Sequence, residues 1–311
     1  MAVPHFSRHR FTRMIAYITL LHVADSEEAE RRPFFIIGHM ANSIADAETL
    51  MTKGANSLEV DVRFASNGTA SRVYHGFPCD CLRECDGETT FTEYLDYIHS
   101  VTSVDGAKYK DKLLLLYLDL KTSDIADNRK YDAGTDVANK LIRHLWVNVS
   151  ATSALNVLLY VSSTDDSELF HGALDTLAKA EDAEHWMELV GFDFGTYRHP
   201  EEISKAFVQL DINGHCWQGG GITNCLVDFL GNFQLPGIVA ARDGGGYVDK
   251  AYAWTVDDPP TIKRFIKIGI DGMITNRPDN VLKVIGKSEI AALVRPAGPE
   301  DSPWSRIRVK S

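Results

Sequence analysis

Residues 113–121 read LLLLYLDLK. An apolar run of this length is a buried strand, and it finishes on Asp119 and Lys121, two residues apart and so on one face. The same design recurs upstream. Ser57–Phe64 (SLEVDVRF) alternates, with Glu59 and Asp61 on one face and Leu58, Val60, Val62 and Phe64 on the other, which is predicted to pack on outer helices. Phe34–Met40 (FFIIGHM) is a further buried strand and carries His39 at its end. Ala70–Tyr74 is a short strand followed by His75. Downstream, Leu155–Val161, Phe192–Tyr197, Ile212–Trp217, Tyr252–Val256 and Gly272–Thr275 read as strands.

Helical patterns fill the intervals. Ser43–Lys53 ends at Gly54, a natural C-cap, and Phe91–Val101 is amphipathic. Asp136–Trp146 is helical, Ser167–Leu189 supplies one or two helices, and another starts at Pro200. Pro260–Ile268, capped by Gly269, and Pro278–Ile285 complete the set. This makes about eight β–α units in a length near the ~250 residues of a (β/α)8 barrel. The expected fold is therefore α/β, a single-domain TIM-type barrel over residues 33–311. A doubly wound open sheet competes with it, but would carry a glycine-rich phosphate loop after its first strand. The glycine runs here, Gly219–Gly221 and Gly244–Gly246, come late. Residues 294–311, with Pro296, Pro299 and Pro303, read as an irregular tail.

The 311 residues carry a net charge of −11. So acidic a chain does not wrap nucleic acid and gains nothing from an anionic membrane surface. A phosphate-bearing substrate would need local cations, from side chains or a metal. Residues 1–32 differ from the rest: Arg8, Arg10 and Arg13 precede the apolar run Met14–Ala24, an acidic patch follows, and Arg31-Arg32 closes the segment. This reads as a secretory signal and a short propeptide. No other segment is long and apolar enough to span a membrane. The five cysteines are Cys79, Cys81, Cys85, Cys216 and Cys225. Their spacing lacks the paired C-x2-C of zinc sites, so disulfides in an extracellular protein are expected, with one thiol left over. Asn67 and Asn148 open N-glycosylation sequons.

In a barrel of this kind the active site gathers where the strands end. His39, Glu59, Asp61, His75, Asp119 and Lys121 all fall at or near such ends, as do Tyr252, Trp254, Asp257 and Asn276. Each has an ordinary structural explanation, such as a hydrogen-bonded histidine, a solvated strand face or a helix cap. Burying the whole set without pairing or a cation would be costly. Three carboxylates without cysteine favour magnesium over zinc. Two histidines can move protons near neutral pH. The set fits phosphodiester cleavage, either without a covalent enzyme intermediate or with a histidine nucleophile, and spacing leaves both open.

RRPFFIIGHMANSI (31–44), GANSLEVDVRF (54–64), YHGFPCDCLREC (74–85), YLDLKT (117–122), GGGITNC (219–225), YAWTVD (252–257) and DGMITNRPD (271–279) together resemble the spider- and tick-type phospholipase D family. Its members are also called sphingomyelinase D or dermonecrotic toxins, and are distant relatives of glycerophosphodiester phosphodiesterases. The resemblance spans roughly residues 31–305 and implies a TIM-type barrel holding one Mg2+ on Glu59, Asp61 and Asp119. It implies His39 and His75 as the catalytic pair, and Lys121, Tyr252, Trp254 and Asn276 as substrate-pocket residues. It implies disulfides Cys79–Cys85 and Cys81–Cys225, with Cys216 free. EDSPW (300–304) resembles the segment that closes the barrel bottom. The substrates implied are choline or ethanolamine phospholipids, including sphingomyelin and lysophospholipids. The lipid's own hydroxyl displaces the head group and leaves a cyclic phosphate. Gly219-Gly220 departs from the family, which often has an Asp just before GITNC, so head-group preference stays open. A secreted monomer is expected, with no nucleic-acid partner. The alternatives are a hydrolase of soluble glycerophosphodiesters and a secreted binding protein that has kept the fold without turnover.

Overall fold

The computed structural model describes residues 31–77, 79, 81, 85–150, 153–195, 200–226 and 234–306. Eight parallel strands close a barrel: β1 (Arg32–Gly38), β2 (Ser57–Phe64), β5 (Leu115–Lys121), β6 (Asn156–Val161), β7 (Val190–Phe194), β8 (Trp217–Gly221), β9 (Lys250–Trp254) and β10 (Gly272–Thr275). Neighbours in the barrel are neighbours in the chain, and β10 pairs with β1. The seam between β7 and β8 is joined by the bridge Phe192–Cys216. The short strand β3 (Ala70–Val73) folds back antiparallel on β2, β4 (Thr89–Thr90) pairs antiparallel with β3, and β11 (Val294–Pro296) pairs with the start of β1.

The helices lie outside. They are α1 (Ile44–Thr52), α2 (Phe91–Thr102), α3 (Lys130–Lys140), α4 (Ser167–Ala178), α5 (Ala183–Glu188), α6 (Pro200–Gln209), α7 (Leu235–Asp243), α8 (Pro259–Ile268), α9 (Pro278–Ile285) and α10 (Ser288–Ala291). Their starts are sequence-encoded. Ser43 caps α1 by accepting from the Asp46 N–H, and Asp258 caps α8 by accepting from Thr261, with two prolines in its first turn. Gly269 ends α8 in the left-handed conformation that glycine adopts without strain.

Strand alternation splits the core in two. Leu58, Val60, Val62, Leu116, Leu118 and Leu120 point outward and pack among the helices. Phe35, Ile37, Leu115, Tyr117, Leu158, Trp217 and Tyr252 fill the barrel. Removing each outward side chain from water contributes about 1.5–3 kcal/mol. That apolar layer holds the inward carboxylates of the same strands in place.

Several boundaries differ from the sequence reading. The strand expected at Ile212–Trp217 instead runs Trp217–Gly221. Its WQGGG sequence has poor strand propensity, which hid it, but the glycines are sterically required. A Cβ on Gly219 would lie 2.1 Å from the Tyr252 ring, and one on Gly221 1.6 Å from the Trp254 carbonyl oxygen. β9 begins at Lys250 rather than Tyr252, because the Lys250 ammonium is buried under the barrel and bonds the Ser305 carbonyl. Strand β7 spans Val190–Phe194, and Tyr197 lies outside the described residues. Helix α3 starts six residues before Asp136 and passes into a π-helical turn, Leu141–Leu145, ahead of Trp146.

The tail is not wholly irregular. After β11, Pro303 accepts from the Trp217 indole N–H at 2.9 Å, and the Trp304 ring stacks on His215 at 5.0 Å, closing the barrel bottom. Residues 1–30 and 307–311 lie outside the described residues. Arg32, assigned by sequence to the leader, is the first residue of β1. Its guanidinium bonds the Ile270 carbonyl at 3.0 Å and pairs with buried Asp271.

Candidate active site

Register sets the centre of the site. Strands β2 and β5 pair so that Asp61 stands beside Asp119 and Glu59 beside Tyr117. One oxygen from each of Glu59, Asp61 and Asp119 lies within 4.8 Å of the others. Lys121 bridges two of them, with Nζ 2.8 Å from Asp61 and 2.6 Å from Asp119. Backbone and amide donors aim the rest: the Met40 N–H donates to Glu59 at 2.7 Å, and Asn42 Nδ2 donates to Asp61 at 2.7 Å.

The electrostatics follow from burial. Desolvation pushes the Glu59 carboxyl well up, with Asp61 and Asp119 adding to the rise. Burial also raises Asp119, against the pull of Lys121. Burial works against ionisation of Asp61 too, but Lys121, His75 and the Asn42 amide outweigh it and hold its carboxyl below the usual range. Lys121 is desolvated, yet Asp119, Asp61 and Glu59 outweigh that and raise it, so it stays charged. Three acids thus face one lysine. The oxygen-only donors and the surplus of negative charge fit a divalent cation.

Strand β2 continues above the barrel, and β3 returns along it, pairing Val62 with Val73. The Tyr74 N–H donates to the Asp61 carbonyl at 2.8 Å, so the chain leaves the hairpin at the carboxylate level with His75 next. His75 Nδ1 lies 2.7 Å from the Gly76 carbonyl. A carbonyl only accepts, so Nδ1 carries the hydrogen and Nε2 is left to accept or give a proton. Gly76 holds this geometry at φ +82°, which a side chain would strain.

His39 is fixed by a longer relay. Its Nδ1 lies 3.1 Å from Asn276 Oδ1, and its Nε2 4.0 Å from Glu59. The Asn276 amide is oriented by Asp257, which accepts from Asn276 Nδ2 at 2.8 Å and from its backbone N–H at 2.7 Å. Thr275 and Asn224 also donate to Asp257. Burial opposes ionisation of Asp257, but these donors outweigh it and hold the carboxyl below its usual range. With its NH2 turned to Asp257, Asn276 presents oxygen to His39, so His39 Nδ1 also carries the hydrogen.

Both histidines, the three carboxylates and Lys121 open onto one cavity of about 410 Å³. Four aromatic rings, Tyr117, Tyr160, Tyr252 and Trp254, also line it, beside hydroxyls such as Ser123 and Ser162. Of the residues expected from sequence, Asn276 and Asp257 stand apart from the lining, in the relay behind His39. The sequence reading missed Asn42, Tyr117, Tyr160 and Asp193. Tyr252 donates to Asp193 at 2.7 Å, and the Tyr252 and Tyr117 hydroxyls are 2.8 Å apart. Full burial pushes the Asp193 carboxyl well up. Register was the available signal: Tyr117 is two residues from Asp119, and Asp193 alternates with Phe192 and Phe194, which face out. The structure joins Cys79 to Cys85 and Cys81 to Cys225, and Cys216 is a buried thiol.

Known proteins resemble this chain in sequence and in fold. A family model described as dermonecrotic toxin SPH matches residues 29–304. The chain is 43% identical to dermonecrotic toxin SPH of Ixodes scapularis over 302 residues, covering 96% of this chain and 83% of that one. It is 37% identical to dermonecrotic toxin SpeSicTox-betaIB2a of Sicarius peruensis over 274 residues, covering 88% of this chain and all (100%) of the relative. Among solved structures, a glycerophosphodiester phosphodiesterase from Parabacteroides distasonis superposes with a TM-score of 0.52 at 17% identity, covering 82% of this chain and 98% of that one. A glycerophosphoryl diester phosphodiesterase-type structure from Silicibacter pomeroyi gives 0.54 at 16%, covering 85% and 95%. At these identities the superpositions establish a shared barrel.

Proposed function

The chain belongs to the dermonecrotic toxin SPH family, and from that premise we propose that this phosphodiesterase is a secreted, Mg2+-dependent phospholipase D of lyase type. Its substrates are sphingomyelin and lysophospholipids bearing choline or ethanolamine. One observation carries the reading: three buried carboxylates, one lysine and two tautomer-fixed histidines line a single cavity together with four aromatic rings.

Glu59, Asp61 and Asp119 would hold the ion, which when bound neutralises charge on the phosphoryl oxygens. Lys121 adds a fixed positive charge on the same side. In the reaction the lipid's free hydroxyl forms a new oxygen–phosphorus bond and the bond to the head-group oxygen breaks. One histidine Nε2 takes the hydroxyl proton, and the other, protonated, gives a proton to the departing choline or ethanolamine oxygen. Atoms balance without water, and a cyclic phosphate remains. Each proton transfer contributes roughly 10²–10⁴-fold. Tyr252 and Trp254 offer ring faces that attract a quaternary ammonium. The two disulfides fit an extracellular protein.

Incubation with sphingomyelin, lysophosphatidylcholine and glycerophosphocholine in Mg2+, followed by phosphorus NMR, tests the reading. A cyclic phosphate is the expected product. An open-chain monoester from glycerophosphocholine alone would replace it with hydrolysis of soluble diesters. Absence of turnover on all three would make the chain a non-catalytic relative.

A further inference from the structure

The end of the barrel that opens the cavity also carries bare apolar side chains. Phe77 is 90% exposed, more than any other large apolar side chain among the described residues, and lies two residues past His75. Its loop is braced by Cys79–Cys85 and tied by Cys81–Cys225 to the loop after β8. Leu226, 41% exposed, follows Cys225 directly. Ile44, 39% exposed, opens α1 just beyond the loop bearing His39. Gly87 of the cysteine loop presses on that same turn, where an added Cβ would meet Asp46 at 2.3 Å. Ile44, Phe77 and Leu226 therefore sit on three neighbouring segments around one mouth. Among the described residues the other exposed large apolar side chains, Val104, Val147, Val208 and Leu293, fall singly towards or beyond helix C-terminal ends, at the opposite end of the barrel.

The cavity explains what the rim meets. Its volume of about 410 Å³ has room for a phosphodiester and its head group but not for whole acyl chains as well. If the substrate is a phospholipid, as proposed above, its chains stay outside and the rim lies against them or their neighbours. Charge narrows the partner. The chain carries −11 overall, and Asp46, Asp86 and Glu88 lie beside the mouth, with Arg72 pairing Glu88. An anionic surface would be repelled, whereas a zwitterionic one would not.

We propose that Phe77, Leu226 and Ile44 dock the cavity mouth on a zwitterionic phospholipid surface, with Phe77 as the principal anchor. This rests on the lipid reading of the site and adds a binding face to it. The anchor is apolar, so docking is insensitive to salt, unlike association through basic patches.

The test is cosedimentation with vesicles of diacylphosphatidylcholine, which has no free hydroxyl to attack its own phosphate and so is not consumed by the proposed reaction. Phe77→Ser is expected to weaken binding about tenfold or more, the effect of losing one buried aromatic anchor. Phe77→Trp is expected to bind as wild type, with an additional indole emission that shifts blue on vesicle addition. Phe77→Ser should also lose turnover of bilayer sphingomyelin by a similar factor, yet keep wild-type turnover of short-chain lysophosphatidylcholine below its micelle concentration. Wild-type vesicle binding by Phe77→Ser, or tighter binding when one-third of the lipid is phosphatidylserine, would overturn the proposal. Vesicle binding is read without catalysis, so failure of the lyase assignment and failure of docking show up in different measurements.

Discussion

Asp257→Asn changes one atom pair and should disable a histidine 237 positions from its partner in sequence, His39 being paired with Asn276. In the wild type, Asp257 Oδ2 accepts from Asn276 Nδ2 at 2.8 Å and from Asn224 Nδ2 at 2.6 Å, while Oδ1 accepts from Thr275 Oγ1 at 2.9 Å and the Asn276 N–H at 2.7 Å. An amide cannot accept all four, because its NH2 must face at least one pair of donors. The least disruptive escape is a flip of the Asn276 amide, which presents NH2 to His39 and forces the proton onto Nε2. The imidazole then faces the cavity in the wrong tautomer. A tautomer error of this kind costs on the order of 10²–10⁴ in kcat. Up to two charge-assisted bonds are lost as well, about 2–4 kcal/mol of stability at a half-buried site. The pH dependence has a definite sign. The Asp257 carboxyl is held below its usual value in the folded protein, so its contribution is complete above the unfolded pKa near 4 and fades as pH falls through the lower folded value. The stability gap between wild type and Asp257→Asn should therefore be widest at neutral pH and close in acid. Steady-state kinetics, nitrogen NMR of the His39 ring and thermal melts from pH 3 to 8 read all three quantities. Wild-type kcat with an Nδ1-protonated His39 in the variant would refute the relay.

His39→Ala and His75→Ala should each abolish turnover while leaving the melting temperature within about 2 °C of wild type; substantial activity in either would remove it from the acid–base pair. Asp119→Asn should remove metal-supported turnover yet raise the melting temperature of the metal-free protein by a few degrees, since it relieves a buried surplus of acid; a lower one would show that its bond to Lys121 outweighs the repulsion. Replacing Cys81 and Cys225, 144 residues apart, by serine should destabilise more than replacing Cys79 and Cys85, which are 6 apart, with chain-entropy limits of roughly 5 and 2 kcal/mol in denaturant melts. Burial raises the Cys216 thiol, so a disulfide-exchange dye should label it only after unfolding. Gly219→Ala should lower kcat/KM, because its Cβ would sit 2.1 Å from Tyr252 and push the ring into the cavity; unchanged kinetics would place the ring outside the substrate's path.

Periodicity made β2 legible because its outward residues are apolar and its inward ones include two carboxylates. Leu58, Val60 and Val62 alternating with Glu59 and Asp61 could only be a strand with one face on helices. The pieces that escaped the sequence reading obey other rules. WQGGG reads as a loop by propensity, and becomes a strand because the Tyr252 ring and the Trp254 carbonyl leave no room for side chains. Lys250 lies before the strand expected at Tyr252–Val256, yet it opens β9 and is buried because a carbonyl of the C-terminal tail accepts from its ammonium. Asn276 reads as a pocket residue, and stands instead behind His39. In each case a partner more than 25 positions away decides the outcome, and no local pattern reports it.

Register was the largest unknown, and the site depends on it. Pairing Asp61 directly with Asp119 places two carboxylates on adjacent strands, an arrangement that like charges disfavour. A slip of one residue would turn Asp119 out among the helices and relieve the repulsion. Leu116, Leu118 and Leu120 prevent that slip, since it would carry all three from the helix layer into the barrel. At about 1.5–3 kcal/mol for each of three buried leucines, the apolar face outweighs the repulsion that remains once Lys121 has bridged the pair. The hydrophobic layer thus holds a carboxylate cluster that would otherwise separate. The repulsion left in that cluster is what a divalent cation would relieve, so the apolar packing of β2 and β5 keeps the three carboxylates within reach of one ion.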